Sequence, residues 1–290
     1  MDNSFSGRNR EATERGGRDE QWTPRGAAAQ AEERGRGGRE KSAPVAPTKT
    51  ELWEAAGWES GEEHAADAAT VPDVTIERVP KRLAAPLAVS KEVSNAVGPR
   101  RAPKVEAALM EASKAFDRER YGDALTILRA LSVETPDVPA VRELFGLALY
   151  RQGKWNDALK HLVRFVELTG SVEQHPVIAD CHRALRHHDL VQTYWDELAA
   201  SSPSAELVAE GRIVMAGSFA DQGRLGEAIA LLERAPLQTK RPRAHHLRLW
   251  YALGDLYERA GDVPNAREWF ARVLLHDPDL ADTKERLENL

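Results

Sequence analysis

The sequence predicts an all-α protein, an α-solenoid of about five helical hairpins with a C-terminal capping helix, behind a disordered N-terminal tail. Three observations carry that prediction. From Val105 onward, apolar residues recur at helical spacing in paired runs. Pairs of small residues 12 positions apart recur along the same stretch. The first 74 residues show little apolar periodicity at all.

The tail comes first. Residues 1–74 are rich in Gly, Arg, Glu, Ala and Ser and cannot bury enough apolar surface to offset the entropy of ordering, so disorder is expected. Charge is unevenly spread: residues 1–50 hold 10 Lys and Arg against 8 Asp and Glu, and residues 51–75 hold 7 acids and no Lys or Arg. Residues 76–104 reverse the sign, with 7 basic residues against 2 acidic. Residues 75–104 read as a linker punctuated by Pro80, Pro86, Pro99 and Pro103, in which "LAVSKEVSNAVG" is expected to form a short N-capping helix. The repeat region follows as residues 105–290.

In "WYALGDLYERAGDVPNAREWFARVLLHDP", Leu253, Tyr257 and Ala260 precede Gly261 at helical spacing, and Ala266, Trp269, Phe270, Val273 and Leu274 resume it. Gly261 suits the left-handed residue that ends one helix, and Pro264 suits the first turn of the next. Gly254 and Ala266 stand 12 apart, which places them opposite each other across the hairpin and lets the two backbones approach. Equivalent pairs are Ala112 with Ala124, Gly146 with Ala158, Ala179 with Val191, and Ala216 with Ala228. Their second members advance by 34, 33, 37 and 38 residues, a repeat period rather than a domain length.

These residues resemble the tetratricopeptide repeat family, whose signature is followed by Trp250, Leu253, Gly254, Tyr257, Ala266, Phe270, Val273 and Pro278. Arg142, Phe145, Gly146, Leu149, Ala158, Leu162 and Phe165 keep the register in a degenerate copy, as do Ala112, Ala115, Ala124, Leu128, Leu131 and Pro136. A third copy around Ala179 lacks the hairpin glycine, and a fourth around Ala216 lacks the proline. The charged tail and "HPVIADC" are also similar to stand-alone repeat proteins of actinobacteria. The resemblance implies a right-handed superhelix whose first helices line a concave groove, with "DLADTKERLENL" as the capping helix. It also implies that groove contacts to a protein or peptide ligand come from Phe116, Glu143, Leu147, Tyr150, Arg151, Asp180, Arg183, Gly217, Tyr251, Asp255 and Arg259. Replacing Glu143 or Asp255 by Ala is then expected to cost little stability. The chaperone-tail carboxylate clamp of some members is not expected, because Ser113, Leu147, Asp180, Gly217 and Asp255 lack its Asn.

A non-enzymatic interaction scaffold is therefore the leading expectation, with no cofactor and no metal. Cys181, His182, His187 and His188 invite zinc or nucleophilic chemistry, but the spacing is wrong for ligands on one helix face, and no oxyanion element accompanies the thiol. A surface histidine cluster beside a buried structural cysteine is expected instead. The net charge of −6 gives no overall basic field. An RNA or ribosome contact through the Arg/Gly stretches "RGG" and "RGRGGR" and the basic "GPRRAPK" is the alternative reading. Leu52, Trp53 and Trp58 stand in an acidic amphipathic stretch that is either a chance solvated segment or one that folds onto a partner groove or the chain's own concave face. A lone cysteine, no leader-like start and no long apolar run lead to an expected cytoplasmic location without membrane contact.

Overall fold

The computed structural model describes residues 86–201 and 203–290, with the backbone alone for 86–88. Among the described residues there are twelve helices and no strand. The described residues all belong to one compact unit; the expected disordered tail and the Leu52, Trp53, Trp58 stretch lie outside them.

A single helix, α1 (Pro86–Val97), packs on the first hairpin, formed by α2 (Ala102–Asp117) and α3 (Tyr121–Glu134). Four more hairpins follow: α4 (Pro139–Tyr150) with α5 (Trp155–Thr169), α6 (His175–Ala184) with α7 (His188–Ser201), α8 (Ala205–Asp221) with α9 (Leu225–Glu233), and α10 (Ala244–Arg259) with α11 (Val263–Leu274). The short helix α12 (Thr283–Asn289) closes the stack against the last hairpin, as expected of a cap. Each of the first four hairpins' first helices also contacts the next hairpin, which is how a unit that cannot cover its own apolar face becomes stable.

Local chemistry sets the ends of these helices. Proline occupies the first turn of α2, α4, α6 and α11, where its missing N–H loses no intrahelical bond. Five tight turns separate first from second helices, and each contains a residue of positive φ: Glu119 (60°), Gly153 (70°), Arg186 (62°), Gly223 (76°) and Gly261 (77°). Three hairpins meet that need with glycine, and the first and third force a side chain into it. The Asp262 carboxylate caps α11 by accepting from the Asn265 N–H at 3.3 Å, and the Ser204 hydroxyl does the same for α8 from Leu207.

The small pairs sit where the hairpins close. Ala112, Ala124, Ala158, Val191, Ala228 and Ala266 have no measurable exposure. Glycine at the first position serves the bulky residue one turn beyond its partner: a Cβ on Gly146 would come 2.5 Å from Leu162 Cγ and 3.2 Å from the Ala158 carbonyl oxygen. A Cβ on Gly254 would meet the Phe270 ring at 2.7 Å. In α8, Gly211 performs the same service for Leu198 and Trp195 of the preceding repeat. The core is two contiguous clusters that meet at the fourth hairpin, one running from Val93 to Met215 and the other from Ala209 to Val273.

Candidate functional site

The residues expected to line a groove lie on the first helices, and the structure shows what their side chains touch. A ladder of polar contacts joins successive repeats. Arg151 Nε donates to the Tyr121 hydroxyl oxygen at 2.9 Å, and the buried Gln174 amide donates to Glu143 Oε1 at 2.8 Å. The Tyr150 hydroxyl donates to Asp180 Oδ2 at 2.6 Å. Arg183 Nε lies 3.1 Å from Asp180 and 3.6 Å from Asp221. Arg248 pairs with Glu210, and at the C-terminal end Arg286 donates to Asp255 at 2.8 Å while the Tyr251 hydroxyl donates to Asp282. The Arg286 guanidinium also stacks 4.8 Å from the Phe270 ring centroid.

Burial is the consequence. Glu143 (3%), Leu147 (5%), Tyr150 (4%), Asp255 (6%) and Arg183 (9%) retain little exposure, because the following repeat or, for Asp255, the C-terminal helix packs over them. Phe116, Arg151, Asp180, Gly217 and Tyr251 are half-buried, and Arg259 stands at the rim, 3.7 Å from Asp255. Phe116 makes an edge contact with Tyr121 at 5.3 Å. Gly217 is explained by Arg183, whose guanidinium occupies the space that a Cβ would take.

Burial also perturbs titration. Desolvation pushes the Glu143 carboxyl up to about 7, against the opposing hydrogen bond from Gln174. Tyr150 is raised well above the usual phenol range, chiefly by burial and then by the neighbouring Asp180 charge. The expectation that Glu143 and Asp255 are dispensable for stability is corrected by these contacts. Removing Glu143 would leave the Gln174 amide buried without its partner, and removing Asp255 would strip Arg286 of one of its two carboxylates.

Where the third, fourth and fifth hairpins meet there is a small cleft. Apolar Ile213, Ala216, Ala252 and Leu256 line it together with two charged pairs, Arg183 with Asp221 and Arg259 with Asp255. It holds about 20 Å³, room for little more than one water and far below the several hundred Å³ of a small-molecule pocket.

The histidine cluster differs from its expected form. His175 and His182 are buried, at 2% and 1% exposure, rather than on the surface. His175 lies 3.0 Å from Glu197 Oε2, His182 lies 3.4 Å from His187 between their Nδ1 atoms, and His188 lies 2.8 Å from the Ser218 hydroxyl of the next repeat. The reason is that α6 is buried on nearly all sides, so even its polar residues face neighbours. Cys181 is fully buried, and desolvation raises its thiol well above the usual range, away from nucleophilic thiolate character. Among the described residues no three His, Cys, Asp or Glu side chains converge on a point that would hold a metal ion.

In the basic stretch 98–104, Arg101 is held by Glu134 in a two-pronged ion pair, so part of its charge is neutralised within the fold. No helix among the described residues is long and apolar enough to cross a membrane. Sequence reasoning missed the ladder partners Tyr121, Gln174, Glu210, Ser218, Arg248 and Arg286. Their signal was complementary polar residues 30 to 38 positions apart, close to the repeat interval.

Comparison with known proteins agrees with this architecture. Tetratricopeptide-repeat family models match residues 109–170 and 219–285. Among solved structures, a thermophilic tetratricopeptide-repeat protein from Thermus thermophilus aligns with a TM-score of 0.50 at 20% identity, covering 64% of this chain and 97% of that one. No curated protein matches the chain. Two separate family matches, falling on hairpins closed by the same small-residue pairs, show that this chain contains tetratricopeptide repeats.

Proposed function

We propose that the repeat array is a non-enzymatic scaffold that takes a peptide or protein segment along the face formed by its first helices. Tetratricopeptide repeats serve in general as protein-interaction scaffolds. The observation that carries this proposal is the cleft at the third, fourth and fifth hairpins, whose lining combines apolar Ile213, Ala216, Ala252 and Leu256 with the charged Arg183, Asp221, Asp255 and Arg259. A partner segment bearing both charges can exchange with these charged pairs while placing a small apolar side chain over Ile213 and Ala252. Arg259 is the charged group freest to move, since its contact with Asp255 is long at 3.7 Å and partly solvated. Phe116, Arg151 and Tyr251 extend the same face to either side.

The test is site-specific photo-cross-linking in full-length protein. A photoreactive residue is placed at Asp221 or Arg259 in the cleft lining, and at Ala230 or Glu268 on the exposed faces of second helices. The reading predicts one partner captured from both cleft positions and from neither of the other two. Capture from Ala230 and Glu268 alone would move the binding surface to the opposite face.

A further inference from the structure

The repeat interval reaches its largest value across the connection between α9 and α10, residues 234–243. The other connections that lead from a second helix to the next first helix span only 135–138, 170–174 and 202–204. In repeat proteins such extra residues mark loops on one face, often one used for binding. The first half of this loop is anchored. Ala235 and Leu237 are buried, the buried Trp250 Nε1 donates to the Leu237 carbonyl oxygen at 3.1 Å, and Arg272 donates to Gln238 Oε1 at 2.7 Å. Its second half therefore projects from a fixed base, and Pro242 stiffens it.

That half is basic. Lys240, Arg241 and Arg243 are exposed, as is Arg234 at the start of the loop, and none of the four forms an ion pair among the described residues. The next cation, Arg248, is pinned to Glu210. The inner face offers a contrast, because Arg183, Arg259 and Arg286 already hold carboxylates and Arg151 holds the Tyr121 hydroxyl. An acidic segment binding there would exchange existing pairs. At the loop it would form new ones.

We propose that the 234–243 loop is the docking site for the chain's own acidic segment, residues 51–75. That segment carries Glu51, Glu54, Glu59, Glu62, Glu63, Asp67 and Asp73 with no Lys or Arg, the largest uncompensated negative block in the chain. Trp53 and Trp58 supply flat rings on which the Arg241 and Arg243 guanidiniums can stack. Residues 51–85 have a contour length on the order of 120 Å, enough to reach along a five-hairpin array. Being tethered, the segment meets the loop at a millimolar-range effective concentration, so weak ion pairs suffice. This contact is independent of the first-helix face and does not require a ligand there.

The experiment is zero-length carbodiimide coupling of full-length protein, read by peptide mass spectrometry. Lys240 is the one amine among the four cations, so its amide partners report what the loop touches. The proposal predicts Lys240 linked to carboxylates within 51–75 at a yield independent of protein concentration. The yield should fall several-fold in 0.5 M salt, and likewise in Arg241→Glu/Arg243→Glu, two exposed changes that leave Lys240 in place. Absence of links from Lys240 to 51–75, or an unchanged yield in either condition, would overturn it. So would links joining isotopically distinct copies in a mixed sample, which would show that the segment docks on a second molecule.

Discussion

The second and third hairpins sit side by side in the stack and solve the same problem differently. In the second, Gly146 and Ala158 close the hairpin, Gly153 makes the turn, and the family model matches. In the third, Val191 replaces the small partner, Arg186 takes the left-handed turn position, and residues 171–218 fall between the two family matches. Yet both are fully packed. The third hairpin instead buries Gln174, His175 and His182 and ties them to neighbours. Register along the repeat is what the fold requires, and the signature residues are one way of keeping it.

The seam between these two hairpins offers the largest expected effect. Glu143, from the second, is raised from an ordinary carboxyl value to about 7 by burial, with the hydrogen bond from Gln174 of the third opposing the shift. Because the folded value is the higher one, the contribution is fully present below the unfolded value near 4.5. It is lost as pH rises through about 7. The shift corresponds to up to about 3 kcal/mol. Glu143→Gln should flatten the stability profile between those limits and raise the melting temperature at pH 8. Equal pH slopes for parent and variant would contradict it.

Overpacking comes next. Ala158→Leu in the second hairpin should cost roughly 1 to 3 kcal/mol by chemical denaturation, because Gly146 leaves no slack around it. Val191→Leu in the third should cost less, toward the roughly 1 kcal/mol end of that range, since it adds one carbon where Ala158→Leu adds three. The reverse order would show that the hairpins do not close on these positions. The smallest effects belong to the turns. Arg186→Gly should stabilise by about 0.5 to 1 kcal/mol, and Gly153→Ala should destabilise by a comparable amount, both from the positive φ at those positions.

Hairpins were legible in the sequence wherever local chemistry specifies them. Periodicity located the helices, Gly261 and Pro264 marked one turn, and the small pairs set the register. What Gly211 and Gly217 are for was not legible, because the groups they accommodate, Leu198, Trp195 and Arg183, belong to the preceding repeat. The inner face was harder still. Family register put Glu143, Tyr150 and Asp255 on first helices, where they do lie, but whether such a side chain meets solvent depends on the neighbouring element. Gln174, Asp180 and Arg286 decide that, each about 30 residues away.

The stacked array depends on first helices being locked to one another from repeat to repeat. A double-mutant cycle on Tyr150→Phe and Asp180→Asn, whose side chains meet at 2.6 Å across that seam, tests it most directly. The account predicts a coupling of at least about 0.5 kcal/mol in unfolding free energy. Additivity of the two changes to within about 0.3 kcal/mol would place the second and third first helices out of contact and contradict the stacked array.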